Sequence, residues 1–467
     1  MFKFACVHPG LVLSLKKFGQ KEDGTATIFA CFMIMMMLLV GGIGVDLMHN
    51  EMERTRLQNT LDRSVLAAAD RDQKLSPEDV VRDHFDKAGM TEYLTSVTVS
   101  EGQNSREVYA RASTYSETQF MRMVGVDQLR VPAASTAKDS FSNVEISLVL
   151  DISGSMGQPG RLENMRKAAI EFKDLMIRPE TENLISLSLI PYSEHVNAGR
   201  ALFEALPRKN WRHNYSYCIE FPDADFQTTQ LSDAHAYDQM QHFQWFFSNS
   251  NQVDNTSCPS RAYEEITPFS QNTNALEAQI QSLQPRAQTS VYLGVKWAAA
   301  LLDPSTRNII DTMIINGDVD NAFSGRPADF SDPDTLKTIV VMTDGRNTES
   351  YRIADWAYNS ASEYVHWKNH NFWHYLERYV YSNHHEYYFS EKYSSANGDI
   401  FLDQICQAAK QQGIVIWSVG FEVDDHGAGV LENCASSPSH FFRVEGVDIS
   451  KAFKAIASQI NQLRLTQ

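Results

Sequence analysis

The chain has 467 residues, which is more than one ordinary domain contains and predicts two or three domains. Hydrophobic residues make up 43% and charged residues 21%, and this composition excludes an intrinsically disordered chain. The formal net charge of −17 disfavours nucleic acid and anionic lipid as partners of the bulk domain, but it does not oppose the binding of a cation.

Residues 26–45 form an uninterrupted run without a charged side chain. As a helix this run spans roughly 30 Å at about 1.5 Å per residue, the thickness of a bilayer core. The run predicts a transmembrane helix over residues 26–46, preceded by a short cytoplasmic segment, residues 1–25. A buried helix of a soluble protein is the alternative, but uncharged runs of this length are rare there.

The flanks of the run predict its orientation. Four lysines precede it: Lys3, Lys16, Lys17 and Lys21. The positive-inside rule then places the N-terminus in the cytoplasm and exports the remainder of the chain. A cleaved signal peptide is the rival interpretation, but the first run of small residues, Ala67 to Ala69, comes more than twenty residues after the span. We therefore expect an uncleaved anchor.

Two small regions follow the predicted span. Residues 47–75 carry apolar side chains at helical spacing and predict a helical stalk; these are Leu57, Leu61, Val65 and Ala68. Such a stripe packs against a neighbour in the same chain or in another. Residues 76–140 combine a helix start at Ser76, with a proline next to it, and strand-like runs, which predicts a small α+β region.

From residue 143 to 465 apolar strands alternate with amphipathic helices. The run EISLVL, residues 145–150, has the continuous apolar character of a buried central strand of a parallel sheet. The alternation predicts an α/β fold with a doubly wound, mostly parallel sheet. Two stretches interrupt it, residues 194–285 and residues 348–398, and both are interpreted as insertions.

Oxygen-bearing side chains are expected at the carboxyl ends of these strands, where open α/β sheets bind ligands. Asp151, Ser153 and Ser155 follow the first strand in the sequence DISGS, and Asp344 ends the strand TIVVM. Thr289 precedes a predicted helix, although Thr273 and Ser290 are also available hydroxyls. Carboxylate and hydroxyl oxygens suit a hard cation. An ordinary helix-capping turn is the alternative for DISGS alone.

The combination of DxSGS, a distant threonine that opens a helix and TDG after an apolar strand resembles the metal-ion-dependent adhesion site of von Willebrand factor A (VWA) domains. The resemblance implies that Ser153, Ser155 and Thr289 contact a metal, and that Asp151 and Asp344 act directly or through water. The implied ion is Mg²⁺, with Mn²⁺ or Ca²⁺ as alternatives. It also implies a protein partner that offers an acidic side chain to the metal.

The N-terminal segment narrows the resemblance. The sequence DGTATIFA before the span and GVDLMHNEMERTRLQNTLDRSVLAAA after it are similar to TadG-like proteins, which assemble tight-adherence (Flp) pili. The resemblance implies a single-pass protein of a bacterial inner membrane, with its bulk in the periplasm or at the cell surface. The implied function is pilus assembly or anchoring through a pilus or pilus-secretion component, without catalysis. A surface adhesin unrelated to pili and a metal-dependent hydrolase are the alternatives.

Four cysteines follow the span, and four cysteines allow three pairings. The local pairing joins Cys218 with Cys258 and Cys406 with Cys434, and an oxidising compartment permits both bridges. Free buried thiols are the alternative.

The second insertion is rich in aromatic residues and histidines. His366, His370 and His374 share a spacing of four residues, which places them on one face if the segment is helical. A transition-metal site is one interpretation of this spacing. Packing of the insertion is the favoured one.

Overall fold

The computed structural model of the protein describes residues 24–70, 73, 75–101, 105–140 and 143–466. The four lysines that predict the orientation, and Cys6, lie outside the described residues. The chain divides after Ser140 into two compact units.

The first unit contains two helices and a three-stranded antiparallel sheet of order β1-β2-β3. Helix α1 is continuous from the predicted span into the predicted stalk and ends at Ala69, before the predicted end of the stalk at residue 75. It is long and apolar enough to cross a membrane. The elements are α1 (Thr25–Ala69), α2 (Pro77–Lys87), β1 (Leu94–Glu101), β2 (Ser105–Glu117) and β3 (Gln128–Ser140). Ser76 caps α2 by accepting a hydrogen bond from the Asp79 amide.

The C-terminal half of α1 belongs to the core of this unit. Its apolar stripe, Leu57 to Ala68, packs with Phe85 of α2 and with Val108 and Val131 of the sheet, all of them buried. The neighbour of the predicted stalk is therefore the α+β region of the same chain. The same helix α1 therefore carries the apolar segment that is long enough to cross a membrane and part of the core of this unit.

The second unit is built on a six-stranded sheet of order β14-β13-β10-β4-β5-β9. Five strands are parallel, and the short edge strand β9 runs antiparallel to β5. The strands are β4 (Asn143–Asp151), β5 (Ile185–Tyr192), β9 (Thr267–Ser270), β10 (Thr335–Thr343), β13 (Val415–Phe421) and β14 (Phe441–Val444). The strands β4 and β10 contain the apolar runs EISLVL and TIVVM that predict them, and the mostly parallel sheet confirms the α/β fold class.

Helices cover both faces of this sheet, because alternate side chains of each buried strand enter opposite cores. In β4, Leu148 contributes to one core and Val149 to the other. Helix α6 is buried along its whole length. The helices are α3 (Arg161–Met176), α4 (Gly199–Ala205), α5 (Thr273–Ser282), α6 (Val291–Leu302), α7 (Arg307–Asn316), α10 (Ser395–Gln411), α11 (Asp425–Cys434) and α12 (Asp448–Thr466).

The two insertions pack against each other and share one aromatic core. Phe243 and Trp245 of the first insertion are buried with Trp367 and Phe372 of the second. Their elements are β6 (Lys209–Asn210), β7 (Ile219–Glu220), β8 (Tyr237–Gln239), β11 (Ser350–Ile353), α8 (Ala361–Asn369), α9 (Phe372–Tyr379) and β12 (Phe389–Tyr393). The rings of this core are buried within the insertions, whereas Trp356 of the second insertion is exposed.

Two disulfides join the cysteines in the local pairing, Cys218 with Cys258 and Cys406 with Cys434. The first bridge lies in the aromatic core of the insertions, and the second ties α10 to α11.

The three histidines of the second insertion do not form one helical face. Helix α8 ends at Asn369 and α9 starts at Phe372, which places His366 and His374 on different helices. The rings of His366 and His370 stack with centroids 4.4 Å apart, whereas His374 Nδ1 lies 2.9 Å from the Ser248 carbonyl oxygen. The histidines therefore pack and make hydrogen bonds within the insertions.

Candidate metal centre

The candidate site lies where the order of the sheet reverses. From β4 the chain passes to β5 on one side and later to β10 on the other side. The crevice outside the carboxyl ends of such adjacent strands is the usual ligand site of open α/β sheets. Asp151 ends β4, and Asp344 directly follows β10. Two carboxylates therefore meet at this crevice.

The Asp151 carboxylate is completely buried and accepts hydrogen bonds on both oxygens. Oδ1 accepts from the Ser153 amide at 2.7 Å, and Oδ2 accepts from Thr343 Oγ1 at 2.6 Å. The Tyr192 hydroxyl lies 3.2 Å from the same Oδ2. Hydrogen-bond donors from the DISGS turn and from the neighbouring strands β10 and β5 thus fix the position of the Asp151 carboxylate.

A chain of hydroxyls connects the turn to Asp344. Ser155 Oγ donates to Asp344 Oδ1 at 2.6 Å. Ser153 Oγ lies 3.0 Å from Ser155 Oγ and is the donor of that pair, because the Ser155 proton is already engaged. The turn that follows Ser153, residues Gly154–Gly157, is a short 3₁₀ segment that leads into α3. The two serines therefore face the same point as Asp344.

Thr289 reaches this group from the loop before α6. A methyl group placed on Gly345 would lie 3.6 Å from Ser155 Oγ and 3.9 Å from Thr289 Oγ1, so both hydroxyls face that glycine. The Thr289 amide donates to Thr348 Oγ1 at 3.0 Å, and this bond ties the loop to the TDG segment. Thr273 instead begins α5, whose Leu276 is buried in the core on the other side.

Arg161 supplies a positive charge at the edge of the site. Its Nη1 donates to Asp344 Oδ2 at 2.7 Å, and its Nε donates to Glu422 Oε2 at 2.8 Å. The Asp344 side chain is inaccessible to solvent, and that of Arg161 is 19% exposed. Asp344 is therefore held between a hydroxyl on one oxygen and a guanidinium on the other.

Burial and mutual repulsion perturb the pKa values of both carboxyls. Burial and then the charge of Asp344 raise the pKa of Asp151 to about 7, against the lowering effect of its Ser153 and Thr343 hydrogen bonds. Burial also raises the pKa of Asp344, and the bonds from Ser155 and Arg161 oppose that rise. Two carboxyls that resist ionisation together favour a cation in their vicinity.

The donor set fits a divalent cation of the Mg²⁺ type. Three hydroxyls and two carboxylates provide only oxygen, the element that hard cations prefer. Adjacent ligands of an octahedral ion with bonds of about 2.1 Å are about 3 Å apart, and Ser153 Oγ and Ser155 Oγ are separated by 3.0 Å. Among the residues that the structure describes, no group of three or more His, Cys, Asp or Glu side chains is arranged to hold a metal.

Four residues of the site were not predicted from the sequence. Thr343 and Tyr192 hold Asp151, and Arg161 and Glu422 hold or approach Asp344. Thr343 and Tyr192 each end a strand that neighbours β4, so the sequence pattern could have placed them at the carboxyl edge of the sheet. No sequence pattern predicts the pairing of Arg161 with Glu422, because these residues are 261 positions apart.

Solved structures of three proteins are similar to the chain at low sequence identity. The vWF domain of the type V pili tip protein Mfa5 of Porphyromonas gingivalis has 16% sequence identity and a TM-score of 0.36, and the match covers 69% of this chain and 96% of that one. The adhesive tip pilin GBS104 of Group B Streptococcus agalactiae has 12% identity and a TM-score of 0.35, with 68% of this chain and 100% of that one covered. Proximal thread matrix protein 1 of the mussel byssus, with a zinc-occupied MIDAS motif, has 12% identity and a TM-score of 0.31, with 70% of this chain and 50% of that one covered. At these TM-scores the similarities carry no conclusion about function.

The sequence itself matches one family model over a limited segment. Residues 24–71 match the model Tad, described as "Putative Flp pilus-assembly TadE/G-like". This segment covers the whole of α1, from the start of the span to the end of the buried stripe. No curated protein matches the chain in sequence. The N-terminal helix of the chain is thus a TadE/G-like segment of the kind that occurs in Flp pilus-assembly proteins.

Proposed function

We propose that the protein is a membrane-anchored VWA protein that binds a partner through a divalent cation during the assembly or anchoring of a Flp-type pilus. The observation that carries the proposal is the convergence of Ser153, Ser155 and Asp344 within hydrogen-bonding distance of one another at the switch point of the sheet. The TadE/G-like helix at the N-terminus supports the pilus context. The site is expected to take Mg²⁺, or alternatively Mn²⁺ or Ca²⁺.

The partner group that suits this site is an acidic side chain. Three neutral hydroxyls compensate little of the charge of a divalent cation, and one of the two carboxylates, Asp344, is already paired with Arg161. A bound cation would therefore keep positive character and accept a further anionic oxygen. A carboxylate on a pilus or pilus-secretion component is the partner group that we infer.

Binding is favoured over catalysis by the way the carboxylates are used. A metal-dependent hydrolase needs a general base beside the metal. The proposal assigns both Asp151 and Asp344 to the cation as ligands, so neither is left to act as that base. The proposed role is therefore non-enzymatic.

We also propose that the N-terminus lies in the cytoplasm and that the chain beyond the span, including the whole second unit, lies in the periplasm. The lysines before the span support this orientation, and the two disulfides in the second unit support an oxidising compartment. An export reporter fused after Gln73 is expected to be active. Activity of a cytoplasmic reporter at the same position would reverse the orientation.

The experiment that tests the function is partner capture from a periplasmic extract of cells that assemble the pilus, with Mg²⁺ or with chelator. The site variants are Asp151→Asn and Ser155→Ala, because alanine at residue 151 would leave the buried Ser153 amide and Thr343 hydroxyl without their acceptor. The native protein should retain a pilus component only with Mg²⁺, and both variants should fail to retain it.

The matched control is Asp329→Asn. This exposed carboxylate precedes β10, at the opposite edge of the same sheet, and pairs with Arg307. The control should capture the same component as the native protein. Equal capture by the native protein and both site variants, unchanged by chelator, would show that the metal does not mediate binding.

A further inference from the structure

A turn of the first unit packs against the membrane-spanning part of α1. The backbone amides of Gln119, Phe120 and Met121 all donate to the Asp46 carboxylate, at 3.1, 2.8 and 2.7 Å. Asp46 directly follows the uncharged run and is only 5% exposed. Three amide donors satisfy a carboxylate at the end of an apolar helix, and they fix the turn at that level.

The contact extends into the uncharged run itself. A methyl group on Gly42 would lie 2.2 Å from Phe120 Cγ, so the glycine leaves the space that the phenyl ring occupies. Gly42 precedes Asp46 by four residues and shares its helix face. One turn of helix is about 5.4 Å long, so the Phe120 ring lies roughly that far inside the segment predicted to span the bilayer.

The turn presents apolar side chains that the unit does not cover. Met123 is 68% exposed and Val124 is 54% exposed. Val45 of α1 is 54% exposed and lines one groove with Gln119 and Arg122 of the turn. The turn that carries Met123 and Val124 therefore adjoins the exposed end of the uncharged run, and exposed apolar surface of this kind is typical of membrane contact sites.

We propose that residues 119–124, the membrane turn, insert Met123 and Val124 into the lipid bilayer beside α1 as a second membrane contact. The apolar side chains of the turn are expected to contact lipid because the turn adjoins the predicted span. The Phe120 ring packs on Gly42 and so lies at the depth of the hydrocarbon boundary. The exposed Arg122 has the long apolar stem and charged tip that can reach back to the headgroups. The first unit would then rest on the membrane surface, in whichever orientation the helix inserts.

The test uses the full-length chain in nanodiscs of phosphatidylcholine and phosphatidylglycerol. Cys6 and Cys31 are replaced by serine, and single spin labels are placed at Met123→Cys or Leu66→Cys. Leu66 is 66% exposed and lies twenty residues beyond Asp46 on α1, about 30 Å along the helix. Collision rates are measured with oxygen, which concentrates in lipid, and with a water-soluble nickel chelate.

The label at residue 123 should collide severalfold more with oxygen than with the chelate, and the label at residue 66 should show the reverse. Equal access of the chelate to both labels would place the turn in water. Protection of residue 123 from both reagents would mean that protein covers it, either a second copy or a partner, and would likewise overturn the proposal.

Two glycine variants test the geometry that places the turn. Gly42→Leu should displace Phe120 and lower the oxygen preference of the label at residue 123. Gly44→Leu is the matched control, because a methyl group on Gly44 meets no atom within 4 Å. If both variants leave the depth of the label unchanged, the contact of Phe120 with Gly42 does not hold the turn in the bilayer.

Discussion

Ser155 Oγ donates a 2.6 Å hydrogen bond to Asp344 Oδ1 and so joins two residues that are 189 positions apart in the sequence. The bond links the turn after β4 to the end of β10. The same two oxygens are candidate ligands of one cation. The two side chains meet because the parallel neighbours β4 and β10 end at the same edge of the sheet.

Ser155→Ala should abolish stabilisation of the protein by Mg²⁺. The metal-free variant should lose about 1 kcal/mol of unfolding free energy, the usual contribution of one hydrogen bond. Differential scanning calorimetry with Mg²⁺ and with chelator measures both effects. Ser282→Ala, at the exposed C-terminal end of α5, is the control and should melt as the native protein does under both conditions. A Mg²⁺-dependent shift of equal size in Ser155→Ala would remove Ser155 from the ligand set.

Arg161→Gln should make the protein more dependent on the metal. Without its guanidinium, buried Asp344 loses the cationic partner that holds its Oδ2, at a cost of about 2 kcal/mol for a charged hydrogen bond. Added Mg²⁺ then becomes the counter-ion of Asp344, so the rise in melting temperature with Mg²⁺ should exceed that of the native protein.

The control for this prediction is Arg443→Gln, which breaks an exposed pair with Asp425 and should change stability by less than about 0.5 kcal/mol. If Arg161→Gln behaves like this control in both metal conditions, Arg161 does not compete with the cation.

The meeting of the two carboxylates at this candidate site could be predicted from the sequence, since one ends an apolar strand and the other directly follows one. Asp151 and Asp344 could be placed on one edge because parallel strands share their carboxyl ends. Arg161 could not, because its contact with Glu422 depends on how β13 and the loop before α3 meet in space. Secondary-structure propensity and hydrophobic periodicity carry no information about the contact between these two distant segments.

The two insertions show the same limit of sequence-based prediction for whole segments of the chain. Their aromatic content predicts burial, and Trp245 and Phe372 are buried. The sequence did not indicate that the two insertions pack on each other, since rings 127 positions apart in the chain stack 5.3 Å apart only in the fold. Likewise, Asp46 is an ordinary flanking charge in the sequence, and its three amide donors become apparent only in the structure.

Removal of the Cys218–Cys258 bridge should destabilise the insertions. The bridge closes a loop with a sequence separation of 40, and the chain-entropy model predicts a loss of about 4 kcal/mol when both residues are replaced by serine. Near-ultraviolet circular dichroism during chemical denaturation reports on the aromatic rings of this core. If the aromatic signal of the double-serine variant has the same unfolding midpoint as that of the native protein, the bridge does not stabilise the insertions.

Acid should weaken the fold through histidines that are buried in the neutral form. Burial, together with the positive charges of His213, Arg286 and Lys368, lowers the pKa of His242 to about 3. The folded protein therefore keeps this ring neutral while the unfolded chain protonates it below about pH 6.5. The stability that neutral His242 contributes is present above pH 6.5 and is lost as the pH falls toward 3.

His242→Gln isolates this effect, because glutamine can still bond with Ser216, whose Oγ lies 2.9 Å from His242 Nδ1. Between pH 7.5 and 5.5 the unfolding free energy of the native protein should fall by about 1.4 kcal/mol relative to the variant. Glu194, whose pKa burial raises to about 7, shifts stability in the opposite direction but is common to both proteins and cancels. Urea denaturation at the two pH values measures the difference. A difference that does not change with pH would mean that His242 takes up its proton in the folded state as readily as in the unfolded chain.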